Sequence, residues 1–356
     1  MEAIPLLKRL SDAEGVSGFE GPVREVVREM WEPLADELHE GRLGSLIALK
    51  KGTGPEPRPR LMLAAHMDEI GLMVSDIDKG FLRVAQIGGT DRRIVVGLEV
   101  VVHGRRDLPG LVATRPPHIL PKEARTKTVS WDEMFVDVGL PEEEVRNLVS
   151  VGDLISMRRQ MSELKNRRVA GKAMDDRACV AAATLALEGL SRVEHAWDVF
   201  AVATVQEETG LKGALVSAYG VAPDMAIALD VTFATQPCVP KRGTFPMGGG
   251  PTIGIGPNFH PKLVTSLQEL AKAQEIPFHL DPIPGRSGTD AWAIQVTREG
   301  VPTALVSIPV RYMHQPVETL AAQDVERAGR LLAAFISDLE ADFLEKLSWD
   351  PAVESE

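Results

Sequence analysis

The run Phe200-Ala201-Val202-Ala203-Thr204-Val205 passes directly into Gln206, two adjacent glutamates, Thr209 and Gly210. Its β-branched and apolar composition predicts a fully buried strand, and such strands belong to sheets covered on both faces. Glu207 and Glu208 then stand side by side at the carboxyl end of that strand. Neighbouring carboxylates that lose water repel each other, so either a positive charge offsets them or one holds a proton. A solvated Glu-Glu pair in a surface turn is the plainer alternative, and the rest of the chain has to decide between the two.

The flanking sequence carries the same α/β texture. Residues after Glu20-Gly21-Pro22 place Val23, Val26, Val27, Met30 and Leu34 at helical spacing, with proline in the first turn. Ser45–Leu49 and Leu61–Ala65 read as strands, the second ending in His66-Met67-Asp68-Glu69 and followed by the apolar run Ile70–Val74. After Asn166 the rhythm resumes with an alanine-rich helix from Arg177 to Leu190, then a strand Asp198–Val205 and a helix Leu211–Tyr219. A strand Met225–Leu229 ends in Asp230. A helix over Pro261–Gln274, a strand Thr303–Ile308 and a closing helix Val325–Phe343 complete the series. Strands alternating with helices predict an α/β fold with a mostly parallel sheet flanked by helices. Between about Asp76 and Leu164 the texture differs. Short β-type runs (Leu98–Val102, Gly110–Ala113, Met134–Val138, Leu154–Met157) are broken by Gly, Pro and charged turns, and Leu108–Trp131 reads as an irregular loop. This predicts a small all-β barrel or sandwich over residues 76–164, inserted into a larger domain made of 1–75 and 165–356.

Composition narrows the function classes. The formal charge of −12 argues against a nucleic-acid partner, since phosphate binding needs a basic face. No stretch approaches 18 consecutive apolar residues, and Met1–Gly15 shows no apolar core followed by a cleavage site, so no membrane partner is expected. Two cysteines, Cys179 and Cys238, are too few for a disulfide framework, which points to a reducing, cytoplasmic location.

Ligands of open α/β sheets gather at the carboxyl ends of strands. His66, Asp68, Glu207, Glu208 and Asp230 all fall there, with Asp175-Asp176 at the start of the alanine-rich helix and His314 beyond the Thr303–Ile308 strand. Each has an ordinary alternative: His66 a core histidine, Asp175 a helix N-cap, Asp230 a turn residue, His314 a plain loop residue. Together they form a set of oxygen and imidazole donors suited to Zn²⁺, Co²⁺ or Mn²⁺. Asp175, Glu208 and Asp230 bring three negative charges and Glu207 a fourth, which two divalent cations would balance. Asp68, two residues beyond His66 in an extended chain, faces the same side and suits a carboxylate that orients the imidazole.

Five segments also carry a family likeness: Ala65-His66-Met67-Asp68-Glu69-Ile70-Gly71, Gly171-Lys172-Ala173-Met174-Asp175-Asp176-Arg177, Gln206-Glu207-Glu208-Thr209-Gly210, Ala228-Leu229-Asp230-Val231 and Arg311-Tyr312-Met313-His314-Gln315-Pro316-Val317-Glu318. In this order they resemble the tetrahedral-type dinuclear metallo-aminopeptidases, which include glutamyl, leucyl and lysyl aminopeptidases and proteins labelled endoglucanases. Ser287-Gly288-Thr289-Asp290-Ala291 matches a further segment, and Gln315 stands where the family pattern has serine. The resemblance implies a zinc-exopeptidase-like fold and two divalent metal ions per subunit. Asp175 would bridge both and be joined to Asp176 by a cis peptide; His66 and Asp230 would complete one site, Glu208 and His314 the other. Glu207 would be the general base and Asp68 would orient His66. It also implies that the inserted β domain mediates dimerisation and that dimers assemble into a hollow dodecamer.

The expected activity is removal of the N-terminal residue from short peptides. An endoglucanase-type glycoside hydrolase, which needs two carboxyls facing across a bond at roughly 5–9.5 Å, and a non-catalytic peptide-binding assembly protein are the competing readings. For the side chain of the first residue, the loop Phe233–Gly250 with Lys241 and Arg242, or Arg286 with the Ser287-Gly288-Thr289 turn, are the candidate pocket walls.

Overall fold

A computed structural model describes residues 1–347, so the last nine residues of the segment expected to end at 356 lie outside the described residues. The main body is an eight-stranded sheet in the order Glu37–Glu40, Leu46–Lys50, Asp198–Thr204, Arg60–His66, Met225–Phe233, Thr303–Val310, Thr252–Ile255 and His279–Pro282. The four strands from Asp198–Thr204 to Thr303–Val310 are mutually parallel, and antiparallel pairs occur only toward the two edges. These central strands are buried along nearly their whole length and largely apolar because both faces are covered. Met174–Leu190 packs on Arg60–His66 and Met225–Phe233, with Ala3–Asp12 and Ala322–Asp338 against it. Its alanines allow close approach, and Gly329 faces it where a Cβ would lie 2.7 Å from the Leu185 Cβ. A second group of helices, Lys212–Val221 and Asp290–Ile294, packs against the same sheet.

The insert is a closed six-stranded barrel in the order Gly71–Asp78, Phe81–Ile87, Met134–Asp137, Asp107–Thr114, Glu99–His103, Leu154–Met157. It has its own core, with Leu72, Val74, Leu82, Val100, Val112, Val136 and Ile155 pointing inward. Alternate residues of Asp107–Thr114 are buried, the period expected of a barrel wall. The first barrel strand begins at Gly71, so the expected boundary at 75/76 falls inside it. Ser162–Leu164, at the other end, pairs with Arg168–Gly171 in a three-stranded sheet of the main body.

Two elements differ from the expectation for physical reasons. The β-type run Gly110–Ala113 belongs to a longer strand, Asp107–Thr114, whose start is obscured by Pro109; within the stretch Leu108–Trp131 read as irregular, the irregular part begins only at Arg115. The closing helix runs Ala322–Asp338 and ends before Phe343, which lies in a separate short turn.

Candidate active site

The carboxyl ends of the parallel strands open onto a cleft of about 590 Å³. The cleft exists because neighbouring strands part company there. Met225–Phe233 pairs with Arg60–His66 only from Met225 to Ala228, and from Asp230 onward it follows Thr303–Val310 alone. Asp230 therefore lies within a strand rather than at its end, where the lost neighbour leaves room for its side chain. His66 closes its own strand opposite Thr204.

Asp175 occupies the centre. The helix is regular only from Arg177, as its sequence predicts, because Asp175 and Asp176 have non-helical backbone angles and the peptide between them is cis. Asp175 does not cap the helix; its side chain turns into the cleft. Its Oδ1 lies 3.1 Å from His66 Nε2 and its Oδ2 lies 3.3 Å from His314 Nε2, so one oxygen serves each histidine. His314 Nε2 is also 3.4 Å from Glu208 Oε1. Two groups of donor atoms result, each within 4.8 Å: His66, Asp175 and Asp230 in one, Asp175, Glu208 and His314 in the other. Glu207 belongs to neither, and its Oε2 stands 3.9 Å from His66 Nε2.

Two further carboxylates hold these residues by their backbones. Asp68 accepts the Glu207 N–H at Oδ1 (3.0 Å) and the Glu208 N–H at Oδ2 (3.3 Å). The nearest acceptor to His66 Nδ1 is the Asp68 carbonyl oxygen at 3.1 Å, whereas the Asp68 carboxylate is 3.6 Å away. Asp68 thus faces His66 as its spacing predicts, but its carboxylate hydrogen-bonds chiefly to the glutamate pair. Glu318 plays the equivalent part on the other side, accepting the His314 N–H at Oε1 (2.7 Å) and the Asp175 N–H at Oε2 (3.0 Å). Its position in the Arg311–Glu318 segment was the only sequence signal for it. Arg177, fully buried, donates to the Leu10, Ala13 and Met67 carbonyls and so ties the first helix to the His66 segment. The barrel also reaches the site. A Cβ on Gly89 would sit 2.3 Å from His314 Nδ1, so only glycine lets that ring lie where it does. No short motif announces this contact.

The electrostatics are those of a site built for cations. Burial pushes the Glu207 carboxyl up to about 10 and drives Asp230 upward too, with Asp175 adding to the latter. Hydrogen bonds to Asp175 and Glu208 raise His314 to about 11. Although burial opposes it, contact with His314 and His66 holds Asp175 well below the carboxylate range. Protons thus take the place of positive charge among these donors. Asp176 Oδ1 and Asp290 Oδ1 are buried without a hydrogen-bond partner in the same neighbourhood. Oxygen and imidazole donors in two groups sharing one carboxylate fit a pair of divalent ions.

Of the candidate pocket walls, Arg286 and the Ser287-Gly288-Thr289 turn line the cleft, together with Phe233 and Gly243; Lys241 and Arg242 do not. Among the described residues no helix is long and apolar enough to cross a membrane.

A family model described as M42 glutamyl aminopeptidase matches residues 44–331, and one described as AMPT matches residues 2–27. The chain is 39% identical to a lysyl aminopeptidase of Pyrococcus furiosus over 342 residues, 94% of this chain and 97% of that one. The TET aminopeptidase from the marine sediment archaeon Thaumarchaeota archaeon SCGC AB-539-E09 superposes with a TM-score of 0.92 at 35% identity, covering 97% of this chain and 99% of that one. The Pyrococcus horikoshii TET1 peptidase, described as assembling into a tetrahedron or a large octahedral shell, matches with a TM-score of 0.83 at 31% identity, covering 95% and 100%. Likeness in sequence and in fold, along nearly the whole chain, establishes that this protein is a peptide hydrolase belonging to the M42 glutamyl aminopeptidase family.

Proposed function

We propose that the protein is a dinuclear metal-dependent aminopeptidase that removes the N-terminal residue of peptides, with Glu207 as general base. The observation that carries this reading is the shared carboxylate: Asp175 presents one oxygen to each of two donor groups, while Glu207 stands beside them and joins neither. His66, Asp175 and Asp230 would hold one cation and Asp175, Glu208 and His314 the other, with Zn²⁺ or Co²⁺ the best match to the donors and Mn²⁺ a third choice. When bound, the pair supplies Lewis acidity to the scissile carbonyl and to the attacking water. Glu207 accepts the proton of that water as its oxygen bonds to the carbonyl carbon. It returns the proton to the leaving nitrogen as the C–N bond breaks. Its raised carboxyl returns to a working range once cations replace the protons nearby. Asp68 keeps Glu207 and Glu208 pointing in different directions through their backbone N–H groups. The carboxylates of the cleft also favour a substrate's free ammonium there, which restricts attack to the first residue.

The barrel is the proposed dimerisation domain, and dimers assembling into a closed dodecamer are expected by likeness to the TET proteins. Free Cys179 and Cys238 accord with the reducing environment of a cytoplasmic enzyme. The test is a panel of aminoacyl chromogenic substrates after reconstitution with Zn²⁺, Co²⁺ or Mn²⁺. Turnover that depends on metal and requires a free α-amino group is expected; cleavage of N-blocked peptides at equal rates would overturn the exopeptidase reading.

A further inference from the structure

The cleft extends beyond the donor groups toward Thr232, Asp281 and Ile283, and this extension contains one feature the chemistry at Glu207 does not use. Asp230 and Thr232 are two residues apart on one strand, so their side chains face the same way with Cα atoms about 7 Å apart. Thr232 Oγ1 donates to Asp281 Oδ2 at 3.0 Å, which fixes the Asp281 carboxylate one step along the cleft from Asp230. Asp281 is half-buried, and this is the only hydrogen bond of its carboxylate among the described residues. No lysine or arginine among the described residues lies within ion-pairing distance of it. A partly desolvated carboxylate with one oxygen free and no cation beside it is unfavourable unless a ligand supplies the charge. Burial raises its carboxyl accordingly.

The walls around it fit the rest of such a ligand. Phe233 and Ile283 line the same cleft and offer apolar surface to an aliphatic stem. The one arginine on the lining, Arg286, is exposed, and its guanidinium lies 5.9 Å from the Trp292 ring centroid, so it is held toward the mouth. A lysine or arginine side chain spans roughly 6–7 Å from Cα to its charged end, comparable with the two-residue step along the strand from Asp230 to Thr232, the partner of Asp281.

We propose that Asp281 is a specificity-determining residue that selects peptides whose first residue is lysine or arginine, pairing with the terminal cation while Phe233 and Ile283 cover the stem. This inference rests on the aminopeptidase reading above, and the experiment separates the two. Metal-reconstituted enzyme is assayed on Lys-, Arg-, Leu- and Glu-p-nitroanilides, as wild type and as Asp281→Asn and Asp281→Lys variants of equal metal content and thermal stability. For the wild type, kcat/KM on Lys and Arg exceeds that on Leu. In Asp281→Asn the Lys-to-Leu ratio falls about 10- to 100-fold, the range of a hydrogen-bonded charge pair. Asp281→Lys lowers that ratio further and raises the Glu-to-Leu ratio. A wild type that prefers Leu or Glu, or an Asp281→Asn variant that lowers all four substrates by one factor, overturns the selection by Asp281. Failure of the aminopeptidase reading looks different: no aminoacyl substrate is cleaved at all.

Discussion

On one side of Asp175 stand His66 and Asp230, both buried and both carried by strands of the parallel sheet. On the other stand Glu208 and His314, which lie on loop segments beyond strand ends, and the His314 side chain is 33% exposed. The strand-borne pair is positioned by ladder hydrogen bonds that the sheet core already fixes. The loop-borne pair has no ladder and relies on carboxylates that grip its backbone: Asp68 on Glu208, Glu318 on His314, with Gly89 of the barrel packed against the imidazole. Equal donor sets are therefore held by unequal means. The buried side should bind its cation tightly, and the open side should exchange its cation and meet the substrate.

The largest expected effect separates the base from both sides. Glu207→Gln should keep two metal equivalents and lose about 10²- to 10⁴-fold in kcat, the span of general-base catalysis. Elemental analysis beside steady-state rates checks it, and wild-type turnover in this variant would end the assignment. Next, His314→Ala should lose one equivalent and retain the other, whereas His66→Ala should weaken the tight site; metal titration that shows the reverse order breaks the comparison. Glu318→Gln should then weaken the open side by about 10- to 100-fold, the usual effect of removing a group that orients a ligand. Glu318 accepts two N–H groups, and an amide has only one accepting atom, so one of the two contacts becomes donor against donor. An unchanged metal affinity would show that the backbone grip is dispensable.

The smallest effect is on stability against pH in metal-free protein. His314 is raised from its ordinary 6.5 to about 11, so the stabilisation from its charged form is complete below about 6.5 and is lost as pH climbs. Glu207 is raised from 4.5 to about 10, so the folded chain keeps a proton that the unfolded chain releases, and this too costs stability as pH rises. Both signs agree. The apo melting temperature should fall between pH 6 and 9, and added Zn²⁺ should raise it by about 5 °C or more at pH 8.5 and by less at pH 6. Differential scanning calorimetry on both forms tests this, and a metal effect that shrinks with pH would contradict the exchange of protons for cations.

Most of the architecture was legible in the chain because its signals are local. The apolar central strands, the alanine-rich helix from Arg177 and the change of texture at the barrel each show within a short window. Two boundaries were not. Asp107–Thr114 begins three residues before the legible run Gly110–Ala113, its start obscured by Pro109, and Met225–Phe233 continues past Asp230 because its partner on one side persists after the other has left. Pairing of that kind depends on residues about 75 positions away, outside any local pattern.

For the site, residue type and order along the chain were enough to nominate His66, Asp68, Asp175, Glu207, Glu208, Asp230 and His314, because such donors stand out at strand ends. What the chain could not show is which oxygen meets which ring. Asp175 divides its two oxygens between His66 and His314, and Asp68 and Glu318 grip backbone N–H groups. Gly89 of the barrel makes room for an imidazole more than 200 residues later. The sequence by itself determined the fold class and nominated the candidate donors, since periodicity and side-chain chemistry are properties of the residues. Only the tertiary structure decided the division of labour among the carboxylates, because that depends on contacts between segments far apart in the chain.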